Sequence, residues 1–271
     1  MKNDSPADAN RQSSIAPWVW ALPFVLMAVC APLWLHRWEP TQFLYLNALF
    51  APIAAHVWTG LSLLGNAWGL LALTSPLLVL APRLMWGWLC AAPFAIVFAR
   101  TGKFFIESPR PAAVVDNAQM RVLGELMHNV SMPSGHTLTA FAAASGLYFA
   151  LPRATRLRHG WLWVLAMAAG LSRIAVGAHW PGDVAVGASL GILAGLLGNR
   201  LLARMPVSTC QPTHWGLRMV AVMVALSVYA LLTEELDFFA ENRPLQVVLA
   251  GVAVVSLAAF ARRNAKALKA S

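Results

Sequence analysis

The sequence predicts an all-α protein, a polytopic membrane helical bundle of eight spans. Three observations predict it. Hydrophobic residues make up 59% of the 271 residues and charged residues only 11%, where soluble domains carry about 25% charge. Apolar runs of the roughly 20 residues needed to cross a bilayer recur along the chain. The basic residues fall mostly between those runs, where orientation signals sit. The net charge of +9 therefore reads as membrane topology and argues against nucleic acid as a partner.

The first fifteen residues are polar and too long for the charged start of a signal peptide, and the run behind them lacks a small-residue cleavage site. Residues 1–15 are thus expected as a cytoplasmic N-terminus ahead of a retained helix. Span one is expected at about 16–35, with Trp18, Trp20, Trp34 and Trp38 bracketing it as an interfacial belt. The stretch 40–65, with Asn47 and His56 inside it and Asn66 beside it, reads as amphipathic or re-entrant. Further spans are expected at about 67–80, 84–104, 135–151, 161–178, 181–202, 215–232 and 245–261. Residues 206–271 hold the last two spans and a basic cytoplasmic tail. Gly187, Gly191 and Gly195 make a small-residue stripe on span six, the pattern that lets helix backbones approach. Cys30, Cys90 and Cys210 are scattered without metal-ligand spacing.

With the N-terminus in the cytoplasm, Lys2, Arg11, Arg83, Arg153, Arg156, Arg158, Arg200, Arg204, Arg218, Arg262, Arg263, Lys266 and Lys269 lie inside. That is thirteen of the twenty basic residues. The acidic residues Glu234, Glu235, Asp237 and Glu241 fall outside. The positive-inside rule then gives an N-in, C-in chain.

Three short segments carry chemistry: Lys103-x6-Arg110-Pro111, Pro133-Ser134-Gly135-His136, and Ser172-Arg173-x5-His179-x3-Asp183. All three land on the outer face in that topology. Catalysis of phosphoryl transfer is mostly positioning and charge stabilisation, and the planar fork of arginine suits phosphate oxygens. Lys103, Arg110 and Arg173 could surround one phosphoryl group. Ser134 and Gly135 open a helix whose N-terminus attracts anions, and His136 stands there as a proton donor. His179 and Asp183 are four apart, so the carboxylate can fix the imidazole tautomer and leave the other nitrogen free to attack. Arg100 and Arg121 read instead as interfacial charges that snorkel to the headgroups, and His128 as a solvated loop histidine.

These segments resemble the signature of the type 2 phosphatidic acid phosphatase family, K-x6-RP, PSGH and SR-x5-H-x3-D, with all eleven fixed identities in order. The resemblance covers roughly residues 103–183 and extends in architecture to a six-helix core, residues 16–205, to which the two C-terminal transmembrane helices in residues 206–271 are additional. It implies that His179 is the nucleophile and forms a phosphohistidine, that Asp183 orients it, and that His136 protonates the leaving group and later assists water. It implies that Lys103, Arg110, Ser134, Gly135 and Arg173 hold the phosphate, that no metal or other cofactor takes part, and that the site of a bacterial inner-membrane member faces the periplasm. The loop 112–132 is too short for a cap domain, which favours a membrane lipid phosphate: undecaprenyl pyrophosphate, phosphatidylglycerophosphate, phosphatidic acid or a lipid A phosphate. A phosphotransferase to a lipid acceptor shares the same motifs. A transporter or scaffold predicts no phosphate release, and a vanadium haloperoxidase would be soluble.

Overall fold

The computed structural model describes residues 15–36, 38–238 and 240–270. The expectations for residues 1–14, Lys2 and Arg11 among them, lie outside the described residues. Those described contain α-helices, 3-10 turns and no strand, as the apolar periodicity requires. In order they are α1 (Leu22–Val29), α2 (Ala31–Leu35), α3 (Pro40–Phe50), α4 (Ala55–Leu63), α5 (Ala67–Thr74), α6 (Leu77–Leu80), α7 (Pro82–Leu89), α8 (Ala92–Ile106), α9 (Gly135–Ala150), α10 (Trp161–Ala175), α11 (Pro181–Leu202), α12 (Trp215–Thr233) and α13 (Arg243–Ala270).

Among the described residues, four stretches are long and apolar enough to cross a membrane: Pro82–Ala113, Pro181–Leu202, Val207–Thr233 and Ala240–Lys269. These contain expected spans three, six, seven and eight. The other expected spans are shorter. Pro76 breaks the stretch 67–80 into α5 and α6, because its ring cannot continue the preceding helix. At 1.5 Å per residue, α9 reaches only about 24 Å, since Ser134 caps its start and Leu151 ends it in an extended conformation before Pro152.

The stretch expected as re-entrant is a bent pair. Helices α3 and α4 meet at 110°. Arg121 holds the bend, donating from Nη1 to the carbonyls of Phe50 (3.3 Å), Ala51 (2.9 Å) and Ile53 (2.9 Å). This corrects the snorkelling role expected for Arg121: carbonyls at the break, those of Ala51 and Ile53 above all, need a donor, and a guanidinium supplies several. Asn47, buried on α3, donates to the carbonyls of Arg121 (3.1 Å) and Ile174 (2.9 Å) and accepts the Arg121 N–H at 2.7 Å. It fastens the bend to the end of α10.

The centre of the bundle is the α9–α11 pair. A Cβ on Gly187 would come within 2.8 Å of the Ser134 carbonyl, on Gly191 within 2.6 Å of the Leu138 carbonyl, and on Gly195 within 2.3 Å of Ser145 Cβ. The stripe is a packing device, as expected. Ser145 Oγ adds a hydrogen bond to the Ile192 carbonyl at 3.1 Å, and Asn199 Nδ2 one to the Gly146 carbonyl at 3.0 Å. Helices α12 and α13 are not a detached appendix. Leu217, Val224, Leu249 and Ala253 share one apolar cluster with Leu71 and Leu78.

Gly191→Val should force α9 and α11 apart and destabilise the protein by about 1–3 kcal/mol or more. A thermal shift measured in detergent checks this, with Gly251→Ala as the control, because a Cβ at Gly251 meets nothing within 4 Å.

Candidate active site

Each sequence motif reaches the same place by a different local device. Lys103 rides the last turn of α8, which ends at Glu107 in a left-handed conformation, φ 42°. The turn sends the chain back across the top of the bundle, where Trp180 Nε1 donates to the Pro109 carbonyl at 2.8 Å. Arg110 follows and is buried. Its Nε donates to Asn129 Oδ1 at 2.6 Å, and its Nη1 to the Ala178 carbonyl at 2.8 Å while lying 3.2 Å from His179 Nε2.

The second motif opens α9. Ser134 is the N-cap, accepting the Thr137 N–H at 3.4 Å and the Thr137 hydroxyl at 2.9 Å. Its own N–H donates to the Asp183 carbonyl at 3.1 Å. A Cβ on Gly135 would meet no atom within 4 Å, so the glycine leaves the helix N-terminus uncovered, where backbone N–H groups favour an anion. His136 follows on the first turn.

The third motif joins α10 to α11. Arg173, buried in the last turn of α10, donates from Nη1 to Ser62 Oγ on α4, and its buried Nε has no partner among the described residues. His179 sits just before α11. Asp183, at the third position of α11, accepts the Trp180 N–H at 3.0 Å, the Ser131 hydroxyl, and a contact from His179 Nδ1 at 3.1 Å. A guanidinium only donates, so the Arg110 contact identifies His179 Nε2 as a lone-pair nitrogen. The proton is then on Nδ1, shared with Asp183. Burial first, then the charges of Arg110, Arg173 and Lys103, push the His179 pKa well below its ordinary value. His179 is a neutral, oriented imidazole at pH 7.

All eight residues singled out in the sequence are therefore brought together. Lys103, Arg110, Arg173 and Asp183 lie within electrostatic range of one another, and His136 within range of His179. Lys103 makes no hydrogen bond to a described residue, while Arg110 and Arg173 are held rigidly. Such a set can bind an oxyanion, and the unpartnered Nε of Arg173 is a donor that an oxygen ligand satisfies.

Sequence reasoning missed several residues of the site. Ser131 bridges to Asp183, Asn129 holds Arg110, and Ser62 holds Arg173. Ser108 ties the first two motifs, accepting the Ser131 N–H on its carbonyl at 2.9 Å and the Met132 N–H on Oγ at 2.8 Å. Short polar residues of this kind carry no signal beyond their nearness to a motif, and Ser62 lacks even that. Asp237 is also here, with Oδ1 2.9 Å from His136 Nε2. Its one signal was membership of an acidic loop on the motif face. His128 is exposed, as expected.

The same geometry has known counterparts. The sequence profile of the PAP2 superfamily matches residues 85–205. Bacitracin transport permease protein BcrC of Bacillus licheniformis is 42% identical over 88 residues, 32% of this chain and 40% of that protein. The chain thus spans less than half the length of that relative. Decaprenylphosphoryl-5-phosphoribose phosphatase of Mycobacterium tuberculosis is 35% identical over 156 residues, 54% of this chain and 81% of that protein. The crystal structure of Aquifex aeolicus LpxE superimposes with a TM-score of 0.50 at 26% identity, covering 60% of this chain and 94% of that one. With its all-helical membrane fold and its three motifs gathered at one end, the chain belongs to the PAP2 superfamily.

Proposed function

We propose that this protein is a metal-independent integral-membrane phosphatase that hydrolyses lipid phosphates or diphosphates through a phosphohistidine on His179. The observation that carries the reading is the His179 imidazole: neutral, held through Nδ1 by Asp183, and offering its Nε2 lone pair among Lys103, Arg110 and Arg173. Nε2 attacks phosphorus in line with the leaving oxygen. The three cations and the N–H groups at Gly135 stabilise the charge spread over the equatorial oxygens. Asp183 stabilises the imidazolium that forms. His136 protonates the leaving oxygen, then takes a proton from the water that cleaves the N–P bond. In this reading the core, residues 16–205, carries the chemistry.

A lipid substrate is supported by the surroundings. An apolar cavity of about 460 Å³, lined by Leu64, Leu70, Leu73, Ala140, Leu147 and Leu165, runs between α5, α9 and α10. Its lining runs from Leu64, the chain neighbour of the Gly65 that packs on the His136 backbone, to Leu151 and Trp161 at the far end of α9. A headgroup phosphate at His179 would leave its tail in the bilayer beside this cavity. Among lipid phosphates we favour polyprenyl diphosphates of the undecaprenyl type, in keeping with the decaprenyl-linked phosphatase among the relatives. The positive-inside count supports a bacterial inner-membrane protein, N-in and C-in, with the site toward the periplasm.

Purified protein should release phosphate in EDTA from a panel of undecaprenyl pyrophosphate, phosphatidylglycerophosphate, phosphatidic acid and lipid A. His179→Ala should lower the rate by at least about 10³-fold and abolish acid-labile labelling by a radioactive phosphoryl group. His136→Ala should slow turnover by about 10²–10⁴-fold. Full activity in His179→Ala, or a strict metal requirement, refutes the mechanism. Product analysis that finds the phosphoryl group on a lipid acceptor would make the protein a phosphotransferase.

Inorganic phosphate should bind the resting protein and raise its melting temperature. Arg173→Gln removes charge-assisted hydrogen bonds and should weaken that binding by about 10- to 100-fold, as read by calorimetric titration. Reporters inserted at Ala118 and Arg158, both exposed, should score on opposite sides of the membrane, the first in the periplasm.

A further inference from the structure

Helices α12 and α13 lie beyond the family match at residues 85–205, and the mechanism above gives them no task. Their connection nevertheless enters the site. Asp237 places Oδ1 2.9 Å from His136 Nε2, with side-chain exposures of 10% and 22%. The same oxygen accepts Asn66 Nδ2 at 3.1 Å. Asn66 is itself fixed, because its Oδ1 caps α5 at the Trp68 N–H, 3.0 Å away. Asp237 has a left-handed backbone, φ 60° and ψ 18°, a conformation uncommon outside glycine that Asp adopts more readily than most residues.

The loop that presents it is fastened on both sides. Asn242 Nδ2 donates to the Thr59 carbonyl of α4 at 2.9 Å, and Gln246 Nε2 to the Glu234 carbonyl at 2.9 Å. The helical hairpin beneath is seated in the apolar cluster with Leu71 and Leu78. A solvated loop carboxylate would show none of this.

We propose that Asp237 is a positioning residue for proton transfer, pairing with His136 as Asp183 pairs with His179, so that the C-terminal hairpin supplies the site with a second His–Asp dyad. The proposal rests on the phosphatase reading above. His136 is faced by Arg173 from α10, Arg110 from the loop after α8, His179 from the loop before α11 and Asp237 from the α12–α13 loop. Two cations oppose an imidazolium there, and Asp237 offsets them. Burial raises the Asp237 carboxyl, but the His136 charge and hydrogen bond, Arg173 and Asn66 outweigh it and hold it at about 2. The carboxylate stays ionised wherever the enzyme works.

With Nε2–H given to Asp237, Nδ1 is the His136 nitrogen left for the substrate. As His179 Nε2 bonds to phosphorus, the P–O bond breaks and its electron pair stays on the leaving oxygen, which takes the Nδ1 proton. In the second half neutral Nδ1 takes a proton from water as the new O–P bond forms. The N–P pair then returns to His179.

The test compares full-length unmodified protein with Asp237→Asn and Asp237→Glu on two substrates. One is a long-chain alkyl phosphate, whose alkoxide must be protonated to leave. The other is p-nitrophenyl phosphate, whose phenolate leaves unaided. On kcat/KM, which reports only as far as loss of the leaving group, Asp237→Asn should slow the alkyl substrate by about 10- to 100-fold and the nitrophenyl substrate by less than about threefold. The alkaline limb of its pH–rate profile should move to lower pH, because an amide no longer stabilises the imidazolium. Asp237→Glu should restore part of both. An equal loss on both substrates with the limb unmoved, or no loss, overturns the dyad and leaves the phosphatase intact. Should Asp237→Asn fail to fold, Asp237→Glu, with its carboxylate displaced, decides by the same two readouts. No phosphate release by the unmodified protein overturns the phosphatase reading and the dyad with it.

Discussion

The carboxyl group of Asp183 is the point from which the site is built. One oxygen, Oδ2, collects the Ser131 hydroxyl, the Trp180 N–H and the His179 ring, and the backbone carbonyl of the same residue receives the Ser134 N–H. The loop before α9, the His179 loop and the first turn of α11 are therefore fixed to one residue. A carboxylate so deeply buried is tolerable only because donors surround it. The same contacts on Oδ2 align the imidazole, while the buried Oδ1 has no hydrogen-bond partner among the described residues.

That arrangement depends in turn on how closely α9 and α11 approach. Without water to drive helices together in a bilayer, close backbone contact between small residues is the main means of holding them. Gly187 is where structure and chemistry meet, because its missing Cβ admits the carbonyl of Ser134 itself. The stripe that packs the bundle thus also fixes the position of the Ser134 cap. Gly65 does the same on the other side, lying against the backbone of His136.

Much of this was legible in the sequence. Motif residues that must touch one ligand betray themselves by type and short spacing, so His179 with Asp183, and Ser134 with Gly135, could be read directly. The bend at α3–α4 was legible as an ambiguous stretch. What holds it was not: Arg121 and Asn47 meet across 74 residues, and nothing in either neighbourhood distinguishes a carbonyl cap from a snorkelling charge. Expected span four, 135–151, is α9 itself, Gly135–Ala150, and the polar motif at its mouth was legible as the point where the helix starts, capped by Ser134.

The contact of Asp237 with His136 spans 101 residues and that with Asn66 171, which puts it beyond any local pattern. Its meaning comes from the asymmetry of the two histidines. His179 needs a lone pair and has a carboxylate on its far nitrogen within its own motif. His136 needs a proton while facing Arg110 and Arg173, cations that phosphate binding demands and that disfavour an imidazolium. Charge suited to holding the substrate is therefore charge unsuited to protonating its leaving group. Within the three motifs the carboxylate, Asp183, is already engaged at His179. A second carboxylate placed at His136 from outside the core removes the conflict without weakening the phosphate site, and the loop between α12 and α13 puts one there.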